Sequence, residues 1–317
     1  GGLMPTAEEL AAFNAMNGST LFGRLCRLTI TKPSGTFSDT DPTANAIIIG
    51  GSDSTEAPGL RITAKVVKTQ QKEPNTSEIC VYNLAPTTRG QLQQKGVRLI
   101  LEAGYAGTGL SLLFVGDVRT VDHVRDGADW KTVLKCGDGE RSIRFARASE
   151  SFAAGSTVAQ VVKHCADAMG LAQGNVGAQL PALSTPLYQG WTAHGAASSE
   201  LDRVLRAVGY SYSVQDGQLQ ILAPGQSVAQ VIPDLNPDTG LIGSPEMGSP
   251  EKAGKPQTLK FRSLLMPEAR CGGRVRVRSE RYNGVFRTRK VVHDLDTMGG
   301  PWYSEFESIN EPGTAVA

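Results

Sequence analysis

Between Leu60 and Val67 the chain alternates residue by residue. Leu60, Ile62, Ala64 and Val66 fall on one side, and Arg61, Thr63, Lys65 and Val67 on the other. A two-residue period is the mark of a strand with one face buried. The same grammar recurs over 21–31, 77–83, 97–103, 112–124 and 130–136, with turn formers between the runs. The chain holds 36 glycines and 17 prolines, which suits many short strands joined by tight turns. Glu73-Pro-Asn-Thr76 reads as one turn, 104–109 and 125–129 as others, and 33–45 as a loop. A short helix over 87–95 is the one interruption. Residues 20–139 are therefore expected to form one β-rich domain, a barrel or sandwich.

The middle changes period. From Ser156, the residues Val158, Val161, Val162, Cys165 and Met169 recur at helical spacing, and Gly170 ends the run. Ala197, Leu201, Val204, Leu205 and Val208 make a second stripe, closed by Gly209. Asp216-Gly217, between 210–215 and 218–222, is the strongest hairpin signal, because both positions tolerate positive φ. Residues 140–235 are expected to be a small α+β domain. Residues 236–257 hold four prolines and four glycines and read as a linker. Strands are expected again over 258–265, 273–278, 285–294 and 302–309, making a second β domain over 258–309 that packs with the first. Thr6 to Glu9 is a capping box, with Leu10, Phe13 and Met16 following. It predicts a helical arm within 1–19, and residues 310–317 are expected to be a disordered tail. The fold class is mainly β with an α+β middle.

Charge narrows the function. The net charge is +1, so the chain as a whole is not an obvious polyanion binder. Yet 251–290 carries 12 Lys/Arg against 3 Asp/Glu. Alternation places Arg274, Arg276 and Arg278 on one face of a strand and Val275 and Val277 on the other, and Arg287 and Arg289 repeat the pattern one strand later. Such a face suits plain solvation, an acidic surface of another subunit, or nucleic acid. The last lacks aromatics between the arginines on which bases would stack.

Signals for catalysis fail on spacing. The four histidines, His123, His164, His194 and His293, stand in no metal-ligand spacing. His164 and Cys165 adjoin, but helical neighbours point about 100° apart. Gly104-Tyr-Ala-Gly-Thr-Gly109 precedes a strand, whereas a phosphate loop needs a helix N-terminus. Asp117, Asp122, Asp126 and Asp129 do not follow a calcium-loop spacing. Cys26, Cys80, Cys136, Cys165 and Cys271 are odd in number, without C-x-x-C spacing, and read as small buried hydrophobes. No cofactor is expected, no catalytic residue is assigned, and no apolar run is long enough to span a membrane.

Several segments, in order, resemble the baseplate hub family of phage tails. They are Lys65-Val-Val-Lys68, Pro74-Asn75, Ile79-Cys-Val-Tyr-Asn-Leu84, Thr88-Arg89, Leu113-Phe-Val-Gly-Asp117 and Cys136-Gly-Asp-Gly139. Tyr188-Gln-Gly190 and Thr239-Gly-Leu-Ile-Gly-Ser-Pro245 follow. Met266-Pro267 stands where the family often has Asn-Pro. The order covers about residues 20–308. The resemblance implies two tail-tube-like β-barrel domains flanking the α+β unit, and a structural hub rather than an enzyme. It implies a homotrimer with a tail tube protein above and a central spike protein below. Wedge and tape measure proteins are further partners, DNA is in contact only in passage, and the tail is of the contractile kind. The place would be the virion baseplate, assembled in the host cytoplasm. Arg274, Arg276, Arg278, Arg287 and Arg289 would then belong to a subunit interface. Rival readings are a tail-associated cell-wall hydrolase and a peptidoglycan-binding module. The second would use Tyr188, Trp191, Tyr210 and Tyr212 as a sugar platform.

Overall fold

The computed structural model describes residues 21, 23–31, 46–51, 59–93, 96–223, 233–248 and 257–310. The expected arm within 1–19, the loop 33–45 and the tail beyond Asn310 lie outside the described residues.

The N-terminal part contains β1 (Arg24–Thr31), β2 (Ala46–Gly51), β3 (Ile62–Thr69), β4 (Thr76–Tyr82), α1 (Pro86–Leu92), β5 (Arg98–Tyr105), β6 (Gly109–Asp126) and β7 (Asp129–Gly137). The middle contains α2 (Glu140–Phe145), β8 (Arg147–Phe152), α3 (Val158–Met169), α4 (Val176–Gln179), a 3-10 turn (Leu180–Leu183), β9 (Trp191–Ala196), α5 (Ala197–Ala207), β10 (Ser211–Gln215) and β11 (Gln218–Leu222). The C-terminal part contains β12 (Asp234–Leu235), β13 (Leu241–Gly248), β14 (Thr258–Leu264), β15 (Arg274–Arg278), β16 (Asn283–Asp296) and β17 (Trp302–Asn310).

Both ends of the chain build one 13-stranded sheet. Its main path runs β13-β14-β17-β16-β3-β4-β7-β6-β5-β1-β2, with β12 and β15 attached through β16. The junction is β16 against β3, paired from Lys290–Thr69 to Asp296–Thr63. All neighbours are antiparallel except β12 beside β15. This corrects the expectation of two barrels. Among the described residues β13 and β2 end the path and do not pair with each other, so the sheet stays open. The long β6 hinges it. Its first half pairs with β5 and its second with β7, and Asp117 takes part in both ladders beside a bulge at Val118/Thr120. The β5–β1 layer thereby folds back over the sheet, where Tyr105 meets Trp302 edge-on at 6.4 Å.

Alternation decides which side is dry. Ile62, Ala64 and Val66 join Ile79, Val81, Leu99, Leu101 and Phe114 in one apolar core. Phe261, Val275, Val277, Phe286, Val291 and Phe306 form a second, with Phe261 and Phe306 stacked at 4.8 Å. The middle unit has a core of its own, from Val161, Val162, Leu201, Leu205, Leu219 and Ile221. There Gln160 accepts the Thr157 N–H at 2.8 Å to start α3. Gly170 ends that helix at φ 62.

Part of the expected linker is structured. Pro237–Thr239 forms a 3-10 turn and Leu241–Gly248 is the edge strand β13. Proline is tolerated at a sheet edge or a bulge, and Pro245 sits in the irregularity between Ile242 and Glu246. The C-terminal β part thus begins at Asp234 rather than at 258. The strands β2, β8 and β9 and the helix α2 were not anticipated.

Two glycines test the packing. A Cβ on Gly104 would lie 1.9 Å from the carbonyl oxygen of Gly109, whereas one on Gly90, within α1, meets nothing within 4 Å. Gly104→Ala is expected to cost more than about 3 kcal/mol. Gly90→Ala is expected to stabilise by roughly 0.5–1 kcal/mol. Urea unfolding curves check both.

Candidate assembly surface and its buried anchor

Where the two sheet cores meet, the buried positions turn polar. Lys68 is in phase with Ile62, Ala64 and Val66, so its side chain enters the dry face and is fully buried. A lysine there needs a counter-charge. Asp216 supplies it from the tip of the β10–β11 hairpin, its carboxylate oxygens 2.7 and 2.9 Å from Lys68 Nζ. Asp216 and Gly217 have φ of 55 and 77, the turn geometry that Asp-Gly favours.

The turn is itself held. Asp138, at the corner after β7, accepts the N–H of Asp216 at 2.6 Å and of Gly217 at 2.8 Å. Asn75 accepts the Thr69 N–H at 2.8 Å and donates to the Val214 carbonyl at 2.9 Å and to Gln215 Oε1 at 3.1 Å. Gln215 donates back to the Thr69 carbonyl at 2.8 Å. Three segments far apart in sequence are thus tied in one satisfied network. It fastens the middle unit to the sheet.

Burial raises the Asp138 carboxyl to about 7, helped by the Asp216 charge and opposed by the two N–H donors and Lys68. His293, fully buried beside Ser304 Oγ at 2.8 Å, is held well below its ordinary value by burial and then by Lys68. Burial pushes the Cys271 thiol up to about 12.

The basic face has a defined place. In β15, Val275 and Val277 are buried while Arg274 and Arg276 are half-buried and Arg278 exposed. Arg274 stands directly opposite Arg287, and Arg276 opposite Val285. Arg278 forms an ion pair with Asp234, its Nε 3.0 Å from the carboxylate. Arg289 is the extra residue of a bulge between Thr288 and Lys290, a device that re-aims a side chain. Arg287, Arg289 and Lys290 line a cleft of about 330 Å³ together with Gln70, Gln71 and Glu307. Sequence reasoning singled out these arginines but missed the cleft, which exists only because β3 and β16 pair.

Elsewhere along the sheet, and into the cleft itself, opposite charges alternate across neighbouring strands. Asp294, Lys65, Glu78 and Lys135 stand directly opposite one another across four strands. Glu246, Lys260, Glu307 and Lys290 repeat the alternation across β13, β14, β17 and β16. Cross-strand opposite charges are favourable, whereas like charges are not. The Arg274–Arg287 pair breaks the rule.

His164 and Cys165 point apart. Cys165 is fully buried in the middle core, and His164 turns to Glu150 at 2.6 Å. All five cysteines are buried and free. Of the suggested sugar platform only Tyr188 is prominently exposed, at 85%. Trp191 is capped by Arg203 at 4.3 Å and Tyr212 is buried.

Lys68→Ala leaves the buried Asp216 carboxylate only the more distant Arg270, at 3.8 Å, and is expected to cost about 3 kcal/mol, whereas Lys68→Met combined with Asp216→Asn, which keeps a residue that tolerates the positive φ of the turn, is expected to cost less. Calorimetric unfolding of both variants checks this. Asp138 binds its proton more tightly folded than unfolded. Its contribution is therefore fully present below about pH 4 and is lost as pH rises through about 7. The stability of the native chain minus that of Asp138→Asn should fall from about pH 4 to about pH 7 and level off above, as read from denaturation midpoints; a flat difference across that range would contradict it.

The comparisons agree with this architecture. Residues 45–307 match the family model described as baseplate hub gp41. Among curated proteins no sequence match is found. The 43 kDa tail protein of prophage MuSo2 from Shewanella oneidensis superposes with a TM-score of 0.59 at 9% identity, covering 92% of this chain and 100% of that one. A tail protein of Neisseria meningitidis gives 0.56 at 10% identity, covering 92% and 97%. The E. coli c3393 protein, a type VI secretion component described as structurally similar to T4 tail proteins gp27 and gp5, gives 0.52 at 11%, covering 82% and 76%. At such identities the likeness is one of fold, while the family match spans most of the sequence: the chain belongs to the baseplate hub gp41 family of phage tail proteins.

Proposed function

We propose that this chain is the structural, non-catalytic hub of a phage tail baseplate, in which three copies form a ring between the sixfold tail tube and the threefold central spike. The observation that carries the reading is the open sheet. Its edge strands β2 and β13 pair on one side only among the described residues. Unpaired edges are aggregation-prone unless covered, and a ring of copies covers them. Cyclic rings use heterologous contacts, in which two different edges meet.

The two apolar cores along one sheet supply two tube-like halves per chain. Three chains then offer six similar units upward and three whole chains downward, which reconciles the two symmetries. The charge-alternating face suits the wall of a water-filled passage for DNA, because it holds no block of one sign to retain a polyanion. Wedge and tape measure proteins would contact the remaining surfaces. The place in a contractile virion tail, and assembly in the host cytoplasm, follow from the same reading.

The basic face takes part in an interface with an acidic surface. Arg276→Glu is expected to weaken assembly by about tenfold or more, roughly 1.4 kcal/mol, while leaving the melting temperature nearly unchanged. Light scattering of the purified chain and electron microscopy of tails carrying the variant check this. A threefold ring on the tail axis is expected from the native chain. A chain that never forms rings, alone or on tails, would sink the reading.

A further inference from the structure

We infer that the tip of the β6–β7 hairpin of one copy docks on the α2 surface of the next, with Asp126 and Asp129 set against Arg141 and Arg147, and Val124 against Phe145. This rests on the ring reading above and names a contact that joins successive copies.

The α2 surface is basic and carries an apolar knob. α2 holds Arg141, Arg144 and Phe145, and Arg147 opens β8. Asp117 meets Arg98 at 3.3 Å and accepts the Arg141 N–H at 3.1 Å. The buried Glu140 answers both Arg119 and Arg144. Five arginines thus share two carboxylates. The Arg147 guanidinium donates to the Arg144 carbonyl at 3.4 Å. Among the described residues, neither Arg147 nor Arg141 has an ion-pair partner. Beside them Phe145 is 71% exposed. Aromatic and arginine side chains dominate the centres of protein interfaces, and an exposed phenyl ring gains by leaving water.

The hairpin tip is the complement. Asp122, Val124 and Asp126 alternate along one face of β6, and Val124 is 45% exposed. Asp126 stands directly opposite Asp129, and like charges so placed are unfavourable without a counter-charge. Asp129 accepts from a neutral amide, Asn83 Nδ2, at 2.9 Å. None of the three aspartates forms an ion pair among the described residues. The cations nearby are engaged elsewhere. Arg125 lies over the Trp130 ring at 5.0 Å and Lys131 over the Tyr82 ring at 6.0 Å, while Arg61 is held by Asp296.

Position selects a second copy. α2 is fastened to β6 at Asp117. Asp117 and Asp126 are the two ends of the β6–β7 ladder, paired with Gly137 and Asp129. The strand between them spans about 30 Å, so the tip cannot reach the α2 surface of its own chain. Two unlike patches meeting between copies make a heterologous contact, the kind that closes cyclic rings. Opposite charges across it steer the approach and fix the register.

Charge reversal tests the contact. Asp126→Lys with Asp129→Lys in one chain, and Arg141→Glu with Arg147→Glu in another, should each reduce ring formation about tenfold or more by native mass spectrometry. All these side chains are exposed, so the melting temperature should stay near the native one. All four changes in one chain should restore rings. Phe145→Ser should weaken them without touching any charge. Val124→Cys in one copy should form a disulfide with Phe145→Cys in another when the two chains are mixed, giving a band of twice the mass. Singly reversed chains that keep the native melting temperature and assemble like the native one would overturn the inference, although the ring reading would survive. So would a fourfold variant that fails to restore rings, which would assign the α2 surface to another acidic protein or to nucleic acid. Absence of the mixed disulfide in rings that do form would also overturn it. A native chain that forms no rings fails the ring reading and this contact together.

Discussion

The ion pair between Lys68 and Asp216 is the point on which the arrangement turns. Both charges are out of water, where each alone costs several kcal/mol and is tolerated only with a well-placed partner and further hydrogen bonds. Asp138 and Asn75 provide those bonds, and in doing so they fix the register between the hairpin and the sheet. A buried ionic network adds little net stability compared with apolar packing. It penalises alternatives heavily, because any shifted docking leaves a charge unpaired. Such a penalty defines one orientation of the middle unit relative to the sheet.

The second constraint is the continuous ladder from β3 to β16. It makes the N-terminal and C-terminal β parts one sheet instead of two tethered domains. Backbone hydrogen bonds across the β16–β3 seam join the two parts as they join any neighbouring strands. The middle unit is an insertion between β7 and β12, closed on its own core. It is pinned at the seam where the two sheet cores meet. Lys68, His293 and Ser304 line that seam, where Lys68 gives the Asp216 carboxylate at the hairpin tip its counter-charge.

Much of this was legible in the sequence, for local reasons. The alternation around Val66, the stripe ending at Gly170 and the Asp216-Gly217 turn each depend on neighbours within a few residues, and each element formed. The pairing of β16 with β3 joins residues more than two hundred positions apart, and nothing in either strand names its partner. β13 was hidden by its prolines and glycines, which an edge strand tolerates and a central strand would not. β2 was hidden because Ala46–Gly51 is a continuous apolar run closed by two glycines, with no alternation to mark a strand. The anchor left a trace that went unused: Lys68 stands in phase with Ile62, Ala64 and Val66, where a solvated lysine does not belong. The arginines of β15 and β16 were visible through alternation, but the cleft they line required the tertiary fold.

Native-state hydrogen exchange tests the central claim, that the network locks the middle unit and the sheet into one body. The amides of Asp216 and Gly217, which donate to Asp138, should exchange as slowly as those of Val66 and Val291 in the sheet. They should be released only by opening of the whole molecule. Rapid exchange at Asp216 and Gly217, while Val66 and Val291 stay protected, would show that the hairpin leaves the sheet on its own and would contradict the account.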